Sequence, residues 1–163
     1  MKKKKFTKIR ENITEVEYQK LLTYLNGKED LTTNTKNNLR RTFILLYFTG
    51  MRINEVKQLK VKDINTIFEK EELIIVTHKT RKERKLFFSK EAIKQIKKHF
   101  VFNDNSKDND FIITTKGNPS KTPSSSTFIA KVNSFIQEVL GHRYSSHSFR
   151  AGIITDMSKS INP

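Results

Sequence analysis

The sequence predicts an α+β fold that is mainly α-helical and contains a small three-stranded antiparallel sheet. Apolar residues recur at helical spacing in several long segments, most regularly at residues 127–140. Three short runs rich in β-branched and aromatic residues, at 64–68, 73–77 and 85–89, are separated by charged turns and predict a meander of strands. A chain of 163 residues suits one domain, which we place at residues 13–163 after a basic arm at residues 1–12.

The first part of the chain predicts two longer helices and a short one. Thr14 followed by Glu17 has the spacing of a capping box, and the helix it starts ends at Asn26 and Gly27. Residues 30–38 are expected to form a polar loop. Residues 39–49 form a second helix that is apolar on most sides and therefore central to the core. Gly50 ends it, and a short amphipathic helix follows at residues 54–59.

The part after the predicted sheet is again helical. Ser89 is placed to cap a helix that reaches Phe100. A polar loop at 102–110, an extended segment at 111–115 and a linker rich in Ser and Pro at 119–126 are expected next. The periodic helix at 127–140 ends at Gly141, and a last helix starts near His147.

Composition narrows the classes of partner. A net charge of +15 predicts a polyanion, either nucleic acid or an anionic membrane surface. Lys accounts for 24 of the 32 basic residues, and the abundance of Lys, Asn and Ile is also typical of an AT-rich genome. The absence of Cys excludes a disulfide framework and thiolate metal sites. The longest apolar run, residues 43–48, is far below the roughly 20 residues of a membrane span, so no membrane partner is expected.

One segment combines a helix boundary with an arginine. Gly50 ends one helix and Arg52 opens the next, where unpaired backbone N–H groups and the positive helix end favour a phosphate. Glu55 lies on the same helical face and is placed to hold the Arg52 guanidinium. An arginine near a helix start is also commonly a solvated side chain, so this segment carries little weight by itself.

Two further segments add basic groups. Residues 77–85 form the tip of a predicted hairpin, where a lysine can act as a mobile proton donor or can simply protect an edge strand. His147 and Arg150 share one face of the last helix and can contact one phosphate together, with Phe149 directed to the core. Such a pair also arises by chance.

Together, these segments resemble the tyrosine recombinase (phage integrase) family. The run Thr49-Gly50-Met51-Arg52, with Glu55 following, resembles its first-arginine motif. The hairpin resembles its catalytic β-hairpin, with Lys79 matching the catalytic lysine, and His147-x-x-Arg150 matches its H-x-x-R motif. The order of the motifs agrees as well, and the resemblance covers nearly the whole chain from Ile13.

The resemblance implies DNA strand transfer without metal or cofactor. A tyrosine attacks a phosphodiester and forms a phosphotyrosyl link, which a partner strand's hydroxyl then reverses. Arg52 and Arg150 would neutralise the non-bridging oxygens, Lys79 would protonate the leaving oxygen, and His147 would act as acid, base or phosphate donor. Double-stranded DNA and further recombinase subunits would be the partners. Basic residues of the hairpin would contact DNA: Arg81, Lys82 and Arg84.

The family's nucleophilic tyrosine follows H-x-x-R, and no tyrosine follows it here. We therefore expect a catalytic domain that is incomplete at its C-terminus, and a catalytically inactive DNA-binding remnant is the alternative. A metal-dependent nuclease is disfavoured because the four histidines show no ligand spacing. A plain helical scaffold would leave the coincidence of three motifs unexplained. The expected location is a bacterial cytoplasm or nucleoid, or an organelle such as a plastid with an AT-rich genome.

Overall fold

The computed structural model describes residues 11–77 and 80–149. Its described elements comprise six helices and two strands, in an α+β arrangement that is mainly helical. In chain order they are α1 (Glu15–Gly27), α2 (Thr33–Thr49), α3 (Ile53–Gln58), α4 (Val61–Lys70), β1 (Glu72–Val76), β2 (Glu83–Phe87), α5 (Lys90–His99) and α6 (Ser125–Leu140). None of these helices is both long enough and apolar enough to cross a bilayer.

Helix α2 forms the centre of the core, as its apolar sequence predicts. It packs against α1, α3 and α5, while α6 packs against α1 and α3. Phe43, Ile44, Leu45 and Leu46 are fully buried, so every side of this stretch faces other elements. Burial of such side chains stabilises the fold by about 2 kcal/mol each.

The expected polar loop at 30–38 is wrong over most of its length, because α2 begins at Thr33. The Thr32 hydroxyl caps the helix by accepting a hydrogen bond from Thr35 N at 3.2 Å. Asn38 is buried and forms two hydrogen bonds with the backbone of Thr114, at 2.8 and 3.2 Å. The polar residues of this stretch therefore serve as a cap and as tertiary contacts, which local composition does not reveal.

The predicted strand at 64–68 is also wrong. These residues lie in α4, whose N-terminus is capped by Asp63 Oδ2 accepting a hydrogen bond from Lys60 N at 2.8 Å. Val61, Ile64 and Ile67 are buried, and their spacing of three residues places them on one helical face. Packing of this face outweighs the β propensity of the branched residues.

The described residues consequently form a two-stranded antiparallel sheet and not a three-stranded one. Leu73 pairs with Leu86 and Ile75 with Arg84 in its register. Leu73, Ile75 and Leu86 are buried on the inner face, and α4 packs against β1. The sheet thus lies beside α4, and Arg84 of β2 reaches Glu55 of α3.

The remaining elements follow their sequence signals. Ser89 accepts a hydrogen bond from Ala92 N at 3.1 Å and caps α5, which confirms the predicted cap. Ser124 caps α6 in the same manner through Thr127 N, so the helix starts inside the predicted linker. The segment at 111–115, which was predicted to be extended, belongs to neither β1 nor β2. It contributes isolated antiparallel β-bridges, including one between Lys60 and Phe111.

Candidate active site

A tight turn sets the position of Arg52. Gly50 adopts a left-handed conformation with φ 68°, and its N–H donates to Leu46 O at 3.0 Å, which ends α2. Met51 and Ile53 are buried on either side of Arg52, which is exposed. Two anchored neighbours therefore hold Arg52 at the start of α3 with its side chain toward solvent.

Glu55 is the most buried charged side chain near this turn, with 6% of its surface exposed. Its Oε1 accepts a hydrogen bond from Arg52 N at 2.8 Å and another from Arg84 Nη2 at 2.9 Å. The sequence predicted that Glu55 holds the Arg52 guanidinium. Glu55 instead contacts the Arg52 backbone, and the guanidinium that it binds belongs to Arg84.

A second anchored turn presents His147. Ser145 N donates to Ser148 Oγ at 3.0 Å, Ser146 N donates to Asn133 Oδ1 of α6 at 2.9 Å, and a helical turn begins at His147. Phe149 is 1% exposed and stacks on Phe43 of α2, as its predicted direction toward the core requires. His147 itself is exposed.

These two turns meet at one cavity of about 380 Å³. Arg52 and His147 both line it, so two residues that are far apart in sequence share one solvent-accessible site. A guanidinium and an imidazole facing one cavity can both donate to a single phosphate. The other lining residues are Met51, Ile53, Asn54, Ile129 and Ser146.

The hairpin tip carries the other predicted basic residues. Arg81 and Lys82 are exposed, and Thr77 closes the tip by donating its N–H to Lys82 O at 3.0 Å. Arg84 is half-buried by its ion pair with Glu55, which distinguishes it from its two neighbours. The predicted proton donor Lys79 and the predicted phosphate ligand Arg150 lie outside the described residues.

All four tyrosines of the sequence lie in the described ranges, and none of them lines this cavity. Tyr18 and Tyr47 stack with their ring centroids 3.9 Å apart, and burial raises the pKa of Tyr18 above its usual range. Tyr24 packs edge-on against Phe135. Burial, with Glu17 and Glu11 nearby, raises the pKa of Tyr144, so its phenolate is disfavoured.

Sequence reasoning missed two kinds of residue. Asn54, Ile129 and Ser146 line the cavity only because α6 packs beside α3, which no local pattern encodes. Arg84 did leave a signal, because it alternates with Leu86 along β2 and so occupies the core-facing side of the strand. In the described ranges, no group of three or more His, Cys, Asp or Glu side chains is placed to hold a metal ion.

Comparison with known protein families gives one match, over residues 11–163, to the model described as the phage integrase family. No curated protein sequence matches the chain significantly.

Solved structures with similar folds include the XerA recombinase, with a TM-score of 0.67 and 14% identity over 100% of this chain and 55% of that one. The XerH site-specific recombinase bound to its palindromic difH substrate, in a post-cleavage complex, has a TM-score of 0.66 and 20% identity over 96% of this chain and 44% of that one. The Tn1549 transposon integrase in complex with a circular intermediate DNA has a TM-score of 0.64 and 15% identity, over 98% and 56% of the two chains. The chain thus spans about half the length of these structures.

Proposed function

Because this chain belongs to the phage integrase family, whose members are tyrosine recombinases, we propose that it binds double-stranded DNA and acts in site-specific recombination. In this proposal a DNA strand is cleaved and rejoined through a phosphotyrosyl intermediate, together with further recombinase subunits on the same DNA. The observation that carries it is the convergence of Arg52 and His147 on one cavity.

The proposed role of the cavity is to hold the phosphate at the point of strand exchange. Arg52 is exposed at the start of α3, where its guanidinium can donate to the non-bridging oxygens. His147 faces the same space and would donate to the phosphate or transfer a proton. Donors fixed before the reaction stabilise the charge that builds up on phosphorus in the transition state.

Two predicted residues complete this proposal. Arg150 would be the second guanidinium, since it follows His147 at a spacing that shares a helical face. Lys79 would protonate the leaving oxygen from the hairpin tip. Arg81 and Lys82, which are exposed beside that tip, would contact the DNA backbone.

A second candidate is DNA binding without strand cleavage by this chain. The placement of the tyrosines favours it, because Tyr18, Tyr24, Tyr47 and Tyr144 all lie away from the residues that line the cavity. The two candidates share the phosphate site and differ in whether a tyrosine reaches it.

Duplex binding by the Arg52→Ala and His147→Ala variants tests the proposed phosphate site, which both candidate functions share. Fluorescence anisotropy with a short labelled duplex should give weak binding by the unchanged chain. The logarithm of the binding constant should fall with the logarithm of salt concentration, by roughly 0.9 per phosphate contacted. Arg52→Ala should weaken binding about tenfold or more, because charge-assisted hydrogen bonds to phosphate are lost.

Lys116→Ala is the matched control, since it removes the same charge at a residue lining a different cavity. It should lower affinity by no more than a general loss of charge does. Equal effects of Lys116→Ala and Arg52→Ala, or binding that ignores salt, would show that the cavity is not the phosphate site.

A further inference from the structure

The carboxylate of Glu55 accepts two hydrogen bonds through the same oxygen. Its Oε1 accepts from Arg52 N at 2.8 Å and from Arg84 Nη2 at 2.9 Å, while the side chain is 6% exposed. Its Oε2 is buried and has no hydrogen-bond partner in the described part of the chain. One oxygen is therefore doubly occupied and the other retains its capacity to accept.

Glu55 is also the acid nearest in sequence to the Arg52 guanidinium. Residues three apart on a helix are neighbours at its surface, so an Arg and a Glu at this spacing readily form an ion pair. A carboxylate and a DNA phosphate compete for the same guanidinium donors. In the ranges described, 11–77 and 80–149, the structure records no ion pair of the Arg52 guanidinium.

Arg84 is the cation that satisfies Glu55 instead. It projects from β2 on the same side as the buried Leu86, opposite Ile75 in the register. Its side chain is 32% exposed, whereas the neighbouring Lys85 is exposed and pairs with Glu72 at 3.7 Å. Arg84 is thus directed to the buried Glu55 carboxylate and is less exposed than Lys85.

We propose that Arg84 is a positioning residue that neutralises Glu55 and so leaves the Arg52 guanidinium available to a DNA phosphate. This inference rests on the proposed function, in which Arg52 binds that phosphate. Without Arg84, the buried Glu55 carboxylate turns its unpaired Oε2 to Arg52 and withdraws the guanidinium from the cavity. Arg84 therefore acts on phosphate binding through Glu55 and does not touch the DNA.

The test of this proposal is the loss of duplex affinity caused by Arg52→Ala, called its cost below, measured in several variant backgrounds. The 163-residue chain and its variants are titrated with a short labelled duplex. Arg52→Ala should weaken binding about tenfold or more in the otherwise unchanged chain. In the Arg84→Met background, the same change should weaken binding less than about twofold, because Arg52 is already captured. In the Glu55→Gln, Arg84→Met double variant, the tenfold cost should return.

Two further variants complete the design. Arg84→Lys keeps the charge and should preserve the full cost of Arg52→Ala. Lys85→Met removes the same charge one residue away on the outer face of the sheet and should also preserve it. Thermal unfolding checks that each variant is folded. If Arg84→Met does not fold, Arg84→Gln, whose amide can still donate to Glu55, takes its place with the same expectation.

The outcomes separate this inference from the proposed function. An unchanged cost of Arg52→Ala in the Arg84→Met or Arg84→Gln background overturns the counterion role and leaves the proposed phosphate site intact. Failure of Glu55→Gln to restore the cost also overturns it, because a general loss of packing would then explain Arg84. If Arg52→Ala has no effect in the unchanged chain, the proposed phosphate site itself fails.

Discussion

Lys57 is an unusual residue, because its side chain is buried in α3 and none of the described acidic residues pairs with it. It is 8% exposed, and its Nζ donates to Ser125 Oγ at 3.1 Å at the start of α6. No ion pair of Lys57 occurs among the described residues. Burial lowers the pKa of its ammonium, since removal from water disfavours the charged form.

Lys57→Met should therefore remove a pH-dependent part of the stability. The pKa of Lys57 is lower in the folded chain than the value of 10.5 that it has when unfolded. Between these two pKa values the unfolded chain binds more protons, so the free energy of unfolding rises with pH across that interval. Below the folded pKa the cost of the buried charge remains, so Lys57→Met should be at least as stable as the unchanged chain there.

Denaturant unfolding of the unchanged chain and Lys57→Met, between neutral pH and about pH 10, measures the difference between their stabilities. Lys62→Met, which removes an exposed lysine from α4, is the matched control. Its free energy of unfolding should rise with pH as it does in the unchanged chain. If the free energy of unfolding of Lys57→Met rises with pH as steeply as that of the control, the buried amine does not titrate with a lowered pKa.

At the scale of single residues, the sequence indicated candidate site residues but not all of their contacts. Arg52 and His147 were identified from spacing, and the structure brings them to one cavity. The partner of Glu55 could not be identified, because its contact with Arg84 joins α3 to β2 across 29 positions. Short-range rules describe neighbours on one helix, whereas contacts between elements depend on packing.

The boundaries of the elements were predictable where one residue type has a local effect. Ser89 and Thr14 mark helix starts, and Gly50 marks the end of α2, because caps depend on adjacent backbone groups. The choice between strand and helix at α4 was not predictable from propensity. Its branched residues fit either structure locally. Burial of Val61, Ile64 and Ile67 against the core favours the helix.

Gly50→Ala should disturb the boundary between α2 and α3. A residue with a Cβ at φ 68° costs about 1 kcal/mol relative to Gly, so the free energy of unfolding should fall by about that amount. The same turn orients Arg52, and duplex binding should weaken as well. Gly27→Ala is the control, because Gly27 has no positive φ and nothing lies within 4 Å of an added Cβ. If Gly50→Ala is no more destabilising than Gly27→Ala, the left-handed turn is not a constraint.

Across the whole molecule, the chain is held together near its cavity by residues from distant positions. Glu11 N donates to Arg143 O at 3.0 Å, and Ile13 N donates to Ser148 O at 3.1 Å. The segment before α1 therefore braces the turn that presents His147. No local pattern predicts this contact, since it joins residues 11–13 to residues 143–148. The net charge of +15 did indicate a polyanionic partner, but not which surface binds it.

The positions of the tyrosines bear on whether the 163-residue chain can cleave DNA alone. In-line attack requires a nucleophile within about 3–3.5 Å of the phosphorus. Tyr18 and Tyr47 are stacked on each other beside Phe48, and Tyr24 contacts Phe135. Tyr144 precedes His147 by three positions and has a raised pKa, which opposes formation of its nucleophilic phenolate. None of the four lines the cavity where the phosphate is proposed to bind.

We therefore expect that residues 1–163 alone form no covalent complex with DNA. The measurement uses nicked duplexes of randomised sequence, from which the cleaved end diffuses away and traps any phosphotyrosine as a protein band of raised mass. XerH, for which a post-cleavage complex on difH is solved, serves as the positive control on its own substrate. A trapped band that disappears in Tyr144→Phe would make Tyr144 the nucleophile and require the turn before His147 to rearrange. No band, with duplex binding that still depends on Arg52, is the expected result, because Arg52 and His147 line the cavity and none of the tyrosines does.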